Sequence, residues 1–166
     1  MTKALFTVKI QHDEDTLIAL SRMRYDLFCT GNRVACDLLS ALLIAVAVLY
    51  GSASLWSLLL IVMACFLITG TYASSDRAAH LIADQIRMSG LPFPCSEYRF
   101  CKAGMCVIAM PEEAETDLLP YRSVLRLGED SCAYYLFFNP YGGYMVPKKE
   151  LGSHEAEFRS FIGLDR

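Results

Sequence analysis

The segment from Leu38 to Tyr72 contains no side chain that ionises at neutral pH, and it most constrains how this chain of 166 residues can fold. Small and polar residues at Gly51–Ser54 divide it into two apolar halves. A soluble domain of this size would have difficulty covering two such helices, whereas in a bilayer each helix satisfies its own backbone hydrogen bonds. The sequence therefore predicts an integral membrane protein with a two-helix transmembrane hairpin.

The two predicted spans differ in length. Leu55–Ala73 is long enough to cross a hydrocarbon layer of ~30 Å, but the first span must start near Val34, with Asp37 at the headgroups. We interpret Asp37 as structural, because a helix N-terminus favours a negative charge; a functional intramembrane carboxylate is the alternative. A hairpin buried inside a soluble fold is disfavoured, because apolar residues surround both helices instead of forming one stripe.

Basic residues flank the hairpin on both sides, and its turn carries none. By the positive-inside rule, both termini face the cytoplasm, and the sequence predicts a two-span protein of the plasma membrane. Small residues on each span would pack the helices together, within one chain or between two chains. The flanking bases are Arg22, Arg24, Arg33, Arg77 and Arg87, and the small residues are Ala41, Ala45, Ser57 and Ala64.

The predicted cytoplasmic parts combine helices and strands. Residues 4–10 predict a strand, Asp13–Thr16 begin a helix, and the second span continues as a helical stalk through Met88 until Gly90 and Pro92 end it. From Cys95 the apolar period becomes two, with hairpin turns at Lys102–Gly104, Gly128–Ser131 and Asn139–Gly143 and a strand end at Pro147. The strand after the first hairpin is expected from Tyr121 to Leu127.

The last predicted element is a helix capped by Ser153, whose Phe158, Phe161 and Ile162 would close over a small sheet. The fold class is therefore an α+β membrane protein. Its parts are a cytoplasmic strand and helix at 1–33, the hairpin at 34–73, a stalk at 74–90 and a cytoplasmic β domain at 91–166.

Four segments of the C-terminal part carry a family resemblance: Tyr121–Val124, Tyr134–Phe138, Met145–Leu151 and Phe158–Ile162. With the N-terminal strand, hairpin and stalk, they resemble the YcxB-like family of small bacterial membrane proteins, over nearly the whole chain. The resemblance implies a membrane location and a C-terminal pleckstrin-homology-like barrel or sheet capped by the last helix. It implies no reaction.

No motif of a known reaction chemistry is present, neither a nucleophile elbow, a P-loop, a dinucleotide fingerprint nor a zinc-protease helix. We therefore expect that the protein is not an enzyme and binds no cofactor. Its net charge of −3 argues against a nucleic-acid partner. A zinc site formed by Cys95, Cys101, Cys106 and His80 is one hypothesis. The spacing of these residues is not that of a zinc ribbon, and we favour cysteines that serve as small apolar residues in strands. The acidic segment Glu112–Asp117 is either a cation site or, as we favour, a solvated loop.

Two binding hypotheses follow. The first is a membrane-anchored interaction module at the cytoplasmic face, which would bind a partner protein or a second copy by strand addition at Tyr144, Met145 and Val146. The alternative is a sensor of anionic lipid headgroups, because each base near an anionic leaflet contributes about 1 kcal/mol. The bases that would contact the headgroups are Arg99, Lys102, Lys148 and Lys149.

Overall fold

The fold, seen in a computed structural model, is α+β, and the structure describes residues 4–51, 54–110 and 114–163. Residues 52–53 of the hairpin turn and 112–113 of the acidic segment lie outside the described residues. The helices are α1 (Glu14–Phe28), α2 (Thr30–Tyr50), α3 (Leu55–Met88), α4 (Lys148–Leu151) and α5 (Glu155–Ile162). The strands are β1 (Phe6–Gln11), β2 (Cys95–Phe100), β3 (Gly104–Met110), β4 (Ala114–Glu115), β5 (Leu119–Pro120), β6 (Arg126–Glu129), β7 (Ala133–Phe137) and β8 (Gly143–Pro147).

The three long helices follow the sequence pattern closely. Asp13 caps α1 through a capping box with Thr16, which satisfies backbone N–H groups at the helix start. Cys29 separates α1 from α2, and α3 runs as one helix of 34 residues from the apolar segment into the stalk. Gly90, at φ 69°, follows the end of α3, in the left-handed region that glycine adopts without strain.

The α2–α3 hairpin packs through small side chains. Ser40, Ala47, Ser57 and Ala64 are buried, whereas Ala41 and Ala45 lie on exposed surface. The hydroxyl groups of Ser40 and Ser57 donate to carbonyls of Cys36 and Gly51 and leave no buried donor unpaired among the described residues. By length and composition, α2 and α3 are both able to cross a membrane.

The strands form two antiparallel sheets. Sheet A has the order β1-β2-β3-β4, with β5 also pairing with β3, and sheet B has the order β6-β7-β8. The sequence pattern left open whether the N-terminal strand joins the C-terminal strands; β1 pairs with β2 along its whole length, from Phe6 opposite Phe100 to Gln11 opposite Cys95.

The prediction of a barrel is wrong, because the two sheets do not close on each other. No hydrogen bond joins β1 to β8 in the part of the chain that the structure describes. On the other side of the fold, Tyr121–Ser123 is a turn of 3₁₀-helix between β5 and β6 rather than the start of a strand. Pro120, at the end of β5, has no N–H to continue the ladder.

Strand β7 explains the most apolar stretch of the C-terminal part. It is buried on both faces. Tyr134 and Leu136 face the core between the sheets, and Tyr135 and Phe137 face α1. A strand covered on both faces is apolar throughout instead of alternating.

Helix α5 closes the core between the sheets. The Phe158 ring is fully buried and lies 4.9 Å from the Phe100 ring and 5.4 Å from the Phe6 ring, centroid to centroid. The predicted Ser153 cap is wrong: Gly152–His154 form a 3₁₀ turn, and His154 precedes α5 without a side-chain cap.

Candidate functional site

Sheets A and B pack face to face around a common core, and we call this part the sandwich. Helix α1 connects the sandwich to α3 through side-chain contacts. The Arg22 guanidinium donates two hydrogen bonds to the Asp76 carboxylate of α3, at 2.8 and 2.7 Å. The Ser21 hydroxyl donates to the Ser75 carbonyl at 2.8 Å. Near the start of α1, the Glu14 carboxylate pairs with Arg87 and lies 2.7 Å from the His80 ring, and the hydrogen bond from His80 is the main reason that the pKa of Glu14 is lowered.

The opposite face of α1 packs against sheet B. Leu20, Met23, Leu27 and Phe28 contact the side chains of Tyr135 and Phe137. Gly128 of β6 permits this close approach, because a Cβ there would lie 2.6 Å from the Met23 sulfur. One helix therefore joins the sandwich to the stalk of α3.

Strand β1 is an edge of sheet A and strand β8 is an edge of sheet B, and we call the space between these two edges the seam. The His12 N–H donates to the Pro94 carbonyl, so His12 and Pro94 form a hydrogen-bonded pair of the β1–β2 ladder. In an antiparallel ladder, hydrogen-bonded and non-hydrogen-bonded pairs alternate along the strand. Thr7 and Lys9 therefore belong to non-hydrogen-bonded pairs, and their backbone N–H and C=O groups point away from β2. By the same argument, from the Lys148 N–H donating to the Cys132 carbonyl, the backbone amide and carbonyl of Met145 in β8 face away from β7. Two strand edges that have no backbone partner among the described residues therefore border the seam.

A groove of about 480 Å³ occupies this seam, and we call it the seam groove. Ile10, Met145 and Pro147 supply its apolar lining, and Lys9, Asp13, Lys149 and Glu150 supply its charges. Of the predicted partner-binding strand, Met145 lines this groove, whereas Val146 is fully buried in the core and the Tyr144 ring packs against Tyr98.

A second hollow of about 750 Å³ continues along β1 toward its N-terminal end. Leu5, Phe6 and Thr7 form one wall, and the other comes from α4 and α5 through Leu151 and Phe161. Glu150 lines both spaces, and between them they touch β1 at Phe6–Thr7 and at Lys9–Gln11.

The four bases of the predicted headgroup patch lie in different places. Arg99 donates to Glu97 at 2.7 Å, and this hydrogen bond is the main reason that the pKa of the Glu97 carboxyl is lowered. Lys148 lies 2.7 Å from Glu129, and its ammonium is 4.8 Å from the centre of the Tyr134 ring. Lys102 lies in the exposed β2–β3 turn, at the end of sheet A opposite the seam groove.

Lys149 is exposed and pairs with no other described residue, but it is remote from the hairpin. It lines the seam groove together with Asp13 and Thr16, in the first turn of α1. The neighbouring Glu14 contacts Arg87, which follows Tyr72 by 15 residues, or about 22 Å along an α-helix. The basic side chains therefore do not form one surface beside the ends of the apolar segments.

The cysteine and histidine residues considered for zinc are also separated. His80 contacts Glu14 on α1, and Cys101 lies buried beside Tyr121, whose hydroxyl donates to the Cys101 carbonyl at 2.8 Å. Among the described residues, no three His, Cys, Asp or Glu side chains are arranged to hold a metal ion, and no disulfide forms.

No protein-family model, curated protein or solved structure matches this chain. The resemblance to the YcxB-like family thus stays a prediction. The seam groove had no signal in the sequence, because it depends on β1 pairing with β2 across more than 80 residues of intervening chain.

Proposed function

We propose that this protein is a membrane-anchored interaction module, with its hairpin in the plasma membrane and its sandwich presenting the seam groove at the cytoplasmic face. The observation that carries the proposal is the continuity of α3, which leads from an apolar segment with large exposed side chains to the stalk fastened to α1. Leu49, Leu55 and Phe66 are more than 70% exposed in the hairpin. Lone chains in water rarely expose so much contiguous apolar surface.

The seam groove suits an extended segment of a partner protein. Its walls are two strand edges with unpaired backbone groups, which is the arrangement that strand addition uses. Met145 offers an apolar contact for a side chain of such a segment, and Lys149, which pairs with no other described residue, adds a positive charge at the rim. The partner segment is therefore expected to be extended and to place an acidic residue near Lys149.

Reversal of the charge of Lys149 in the seam groove tests this proposal. Full-length tagged protein is cross-linked in native membranes and captured in mild detergent, as wild type, as Lys149→Glu and as Lys102→Glu. The two lysines are both exposed, but only Lys149 lines the groove. We expect a protein that wild type and Lys102→Glu enrich equally and that Lys149→Glu captures about tenfold less, the effect of losing ~1.4 kcal/mol.

Two results would contradict the proposal. One is equal capture of the partner by Lys149→Glu and Lys102→Glu, which places binding outside the groove. The other is the absence of any protein enriched by the wild-type chain over a control membrane protein with the same tag. Release of the protein from the membrane by alkaline carbonate would separately contradict the proposed membrane anchoring.

A further inference from the structure

A polar cavity of about 340 Å³ lies where α1, α2 and α3 meet, and we call it the junction cavity. This volume is within the range of small-molecule sites. Its lining is charged and aromatic, unlike the apolar hairpin next to it. The residues that matter here are Arg22, Tyr25, Asp26, Arg33, Tyr72 and Asp76.

The charges of the junction cavity are balanced. Arg22 pairs with Asp76, and Arg33 pairs with Asp26. The Arg33 guanidinium also lies over the Tyr72 ring, 4.4 Å from its centre. Two cations and two anions therefore face one small space, and a ligand of either single sign finds no net attraction.

The cavity lies at the boundary between apolar and charged residues on both long helices. Arg33 immediately precedes the apolar part of α2, and Tyr72 ends the apolar part of α3, with its hydroxyl donating to Asp37 at 3.2 Å. With the hairpin in a bilayer, as the proposed function requires, this boundary is at the depth of the lipid headgroups, where tyrosine and arginine side chains are enriched.

We propose that the junction cavity binds the headgroup of a zwitterionic phospholipid with a primary ammonium, the chemistry of phosphatidylethanolamine. The phosphate accepts hydrogen bonds from the Arg22 and Arg33 guanidinium groups, and the ammonium donates to the Asp26 and Asp76 carboxylates. Charge-assisted hydrogen bonds of this kind are the strong ones. The inference rests on the membrane insertion in the proposed function, and it does not depend on the seam groove.

Native mass spectrometry of the detergent-purified full-length protein tests the site. Dioleoyl-phosphatidylethanolamine, -phosphatidylcholine and -phosphatidylglycerol are added separately at equal concentration, and the bound fraction is measured. We expect about tenfold more bound phosphatidylethanolamine than either other lipid. The choline lipid keeps both charges but has no N–H to donate, and the glycerol lipid has no cation.

Three variants assign the binding to the cavity. Arg33→Gln and Asp76→Asn each remove one charge from the lining, and we expect both to lower phosphatidylethanolamine binding about tenfold. Arg87→Gln removes an arginine that pairs with Glu14 outside the cavity and is expected to bind as wild type does. Equal binding of the three lipids, preference for the anionic lipid, or unchanged binding by both lining variants would overturn the inference.

Carbonate extraction separates this inference from the proposed function. Wild type, Arg33→Gln and Asp76→Asn should all stay in the membrane pellet, since the apolar segments are unchanged. Release of the wild-type chain would contradict membrane insertion itself. Retention of all three chains with no selective lipid binding would contradict the headgroup site alone.

Discussion

The sandwich and the hairpin bury opposite kinds of side chain. In the sandwich, the largest aromatic residues are hidden, with Tyr98, Phe100, Tyr134 and Phe158 at 1% exposure or less. In the hairpin, the hidden residues are small, and Leu, Phe and Trp side chains point outward. The two regions belong to one chain, and the difference between them is the one expected if the sandwich lies in water and the hairpin in lipid.

Water drives large apolar side chains inside, which is the arrangement of the sandwich. Lipid tails give no such drive between helices, and helices in a bilayer associate through close packing of small residues and hydrogen bonds of hydroxyl groups. The hairpin has the small-residue packing of this second arrangement, with Ala47 and Ala64 buried at its interface, and the buried Ser40 hydroxyl donates within α2 to the Cys36 carbonyl.

The largest expected effect comes from a matched pair of phenylalanines. Phe158→Ala removes a ring from the core between the sheets and should destabilise the sandwich by about 3–5 kcal/mol, as for buried aromatic residues elsewhere. Phe66→Ala removes a ring that is 75% exposed on the hairpin and should leave sandwich stability unchanged. Urea unfolding of the full chain in detergent, followed by near-ultraviolet circular dichroism, measures both. Equal losses would break the comparison between the two regions.

A smaller effect is expected from enlarging an alanine in the hairpin. Ala64→Leu inserts three carbons into the α2–α3 interface and should cost about 1–3 kcal/mol, because overpacking forces the helices apart. Ala45→Leu adds the same volume on the exposed surface and should be neutral. The midpoint of unfolding in sodium dodecyl sulfate reads out both variants. A larger loss of stability from Ala45→Leu than from Ala64→Leu would show that α2 and α3 pack through other faces than the ones described.

Asp130 gives the sandwich a pH-dependent part of its stability. Burial raises the pKa of Asp130, but hydrogen bonds from the Tyr135 hydroxyl and the N–H groups of Cys132 and Ala133 outweigh it, and the pKa is lowered. A carboxyl with a lowered folded pKa stabilises above its unfolded value of 3.8 and loses this contribution as the pH falls below it.

Asp130→Asn should therefore cost about 1 kcal/mol at neutral pH, since an amide accepts these bonds less strongly. Its unfolding free energy should also decline less than that of wild type between pH 5 and pH 2, a range about the unfolded pKa. Urea titrations across this range supply the measurement. Parallel acid dependence of the two proteins would show that Asp130 is not a source of it.

The smallest effect is expected at the connection between the regions. Arg22→Gln breaks the pair between Arg22 and Asp76, whose side chains are 62% and 30% exposed, and exposed ion pairs contribute little to stability because solvent screens them. Hydrogen exchange of α1 should rise slightly, and that of sheet A should not change. A large rise in both would mean that the connection to the stalk also maintains the sandwich.

Local patterns predicted most elements but not their assembly. The uncharged segment, the helix start at Asp13–Thr16 and the turns at Lys102–Gly104 and Asn139–Gly143 each depend on neighbouring residues, and all these elements form. The pairing of β1 with β2 and the packing of α1 on β7 depend on contacts across 80 or more residues. The junction cavity is also a product of assembly, since each of its arginines has an ordinary position in the sequence.

Two native cysteines test the central claim, that the hairpin lies in lipid while the sandwich lies in water. Cys65 on α3 and Cys132 beside β7 are both exposed in the structure. Native membrane vesicles opened by freezing and thawing are treated with a water-soluble maleimide, and modified peptides are mapped by mass spectrometry. The account predicts rapid modification of Cys132, with Cys65 unmodified until the bilayer is dissolved and the chain denatured. Modification of Cys65 in intact membranes at the rate of Cys132 would contradict it.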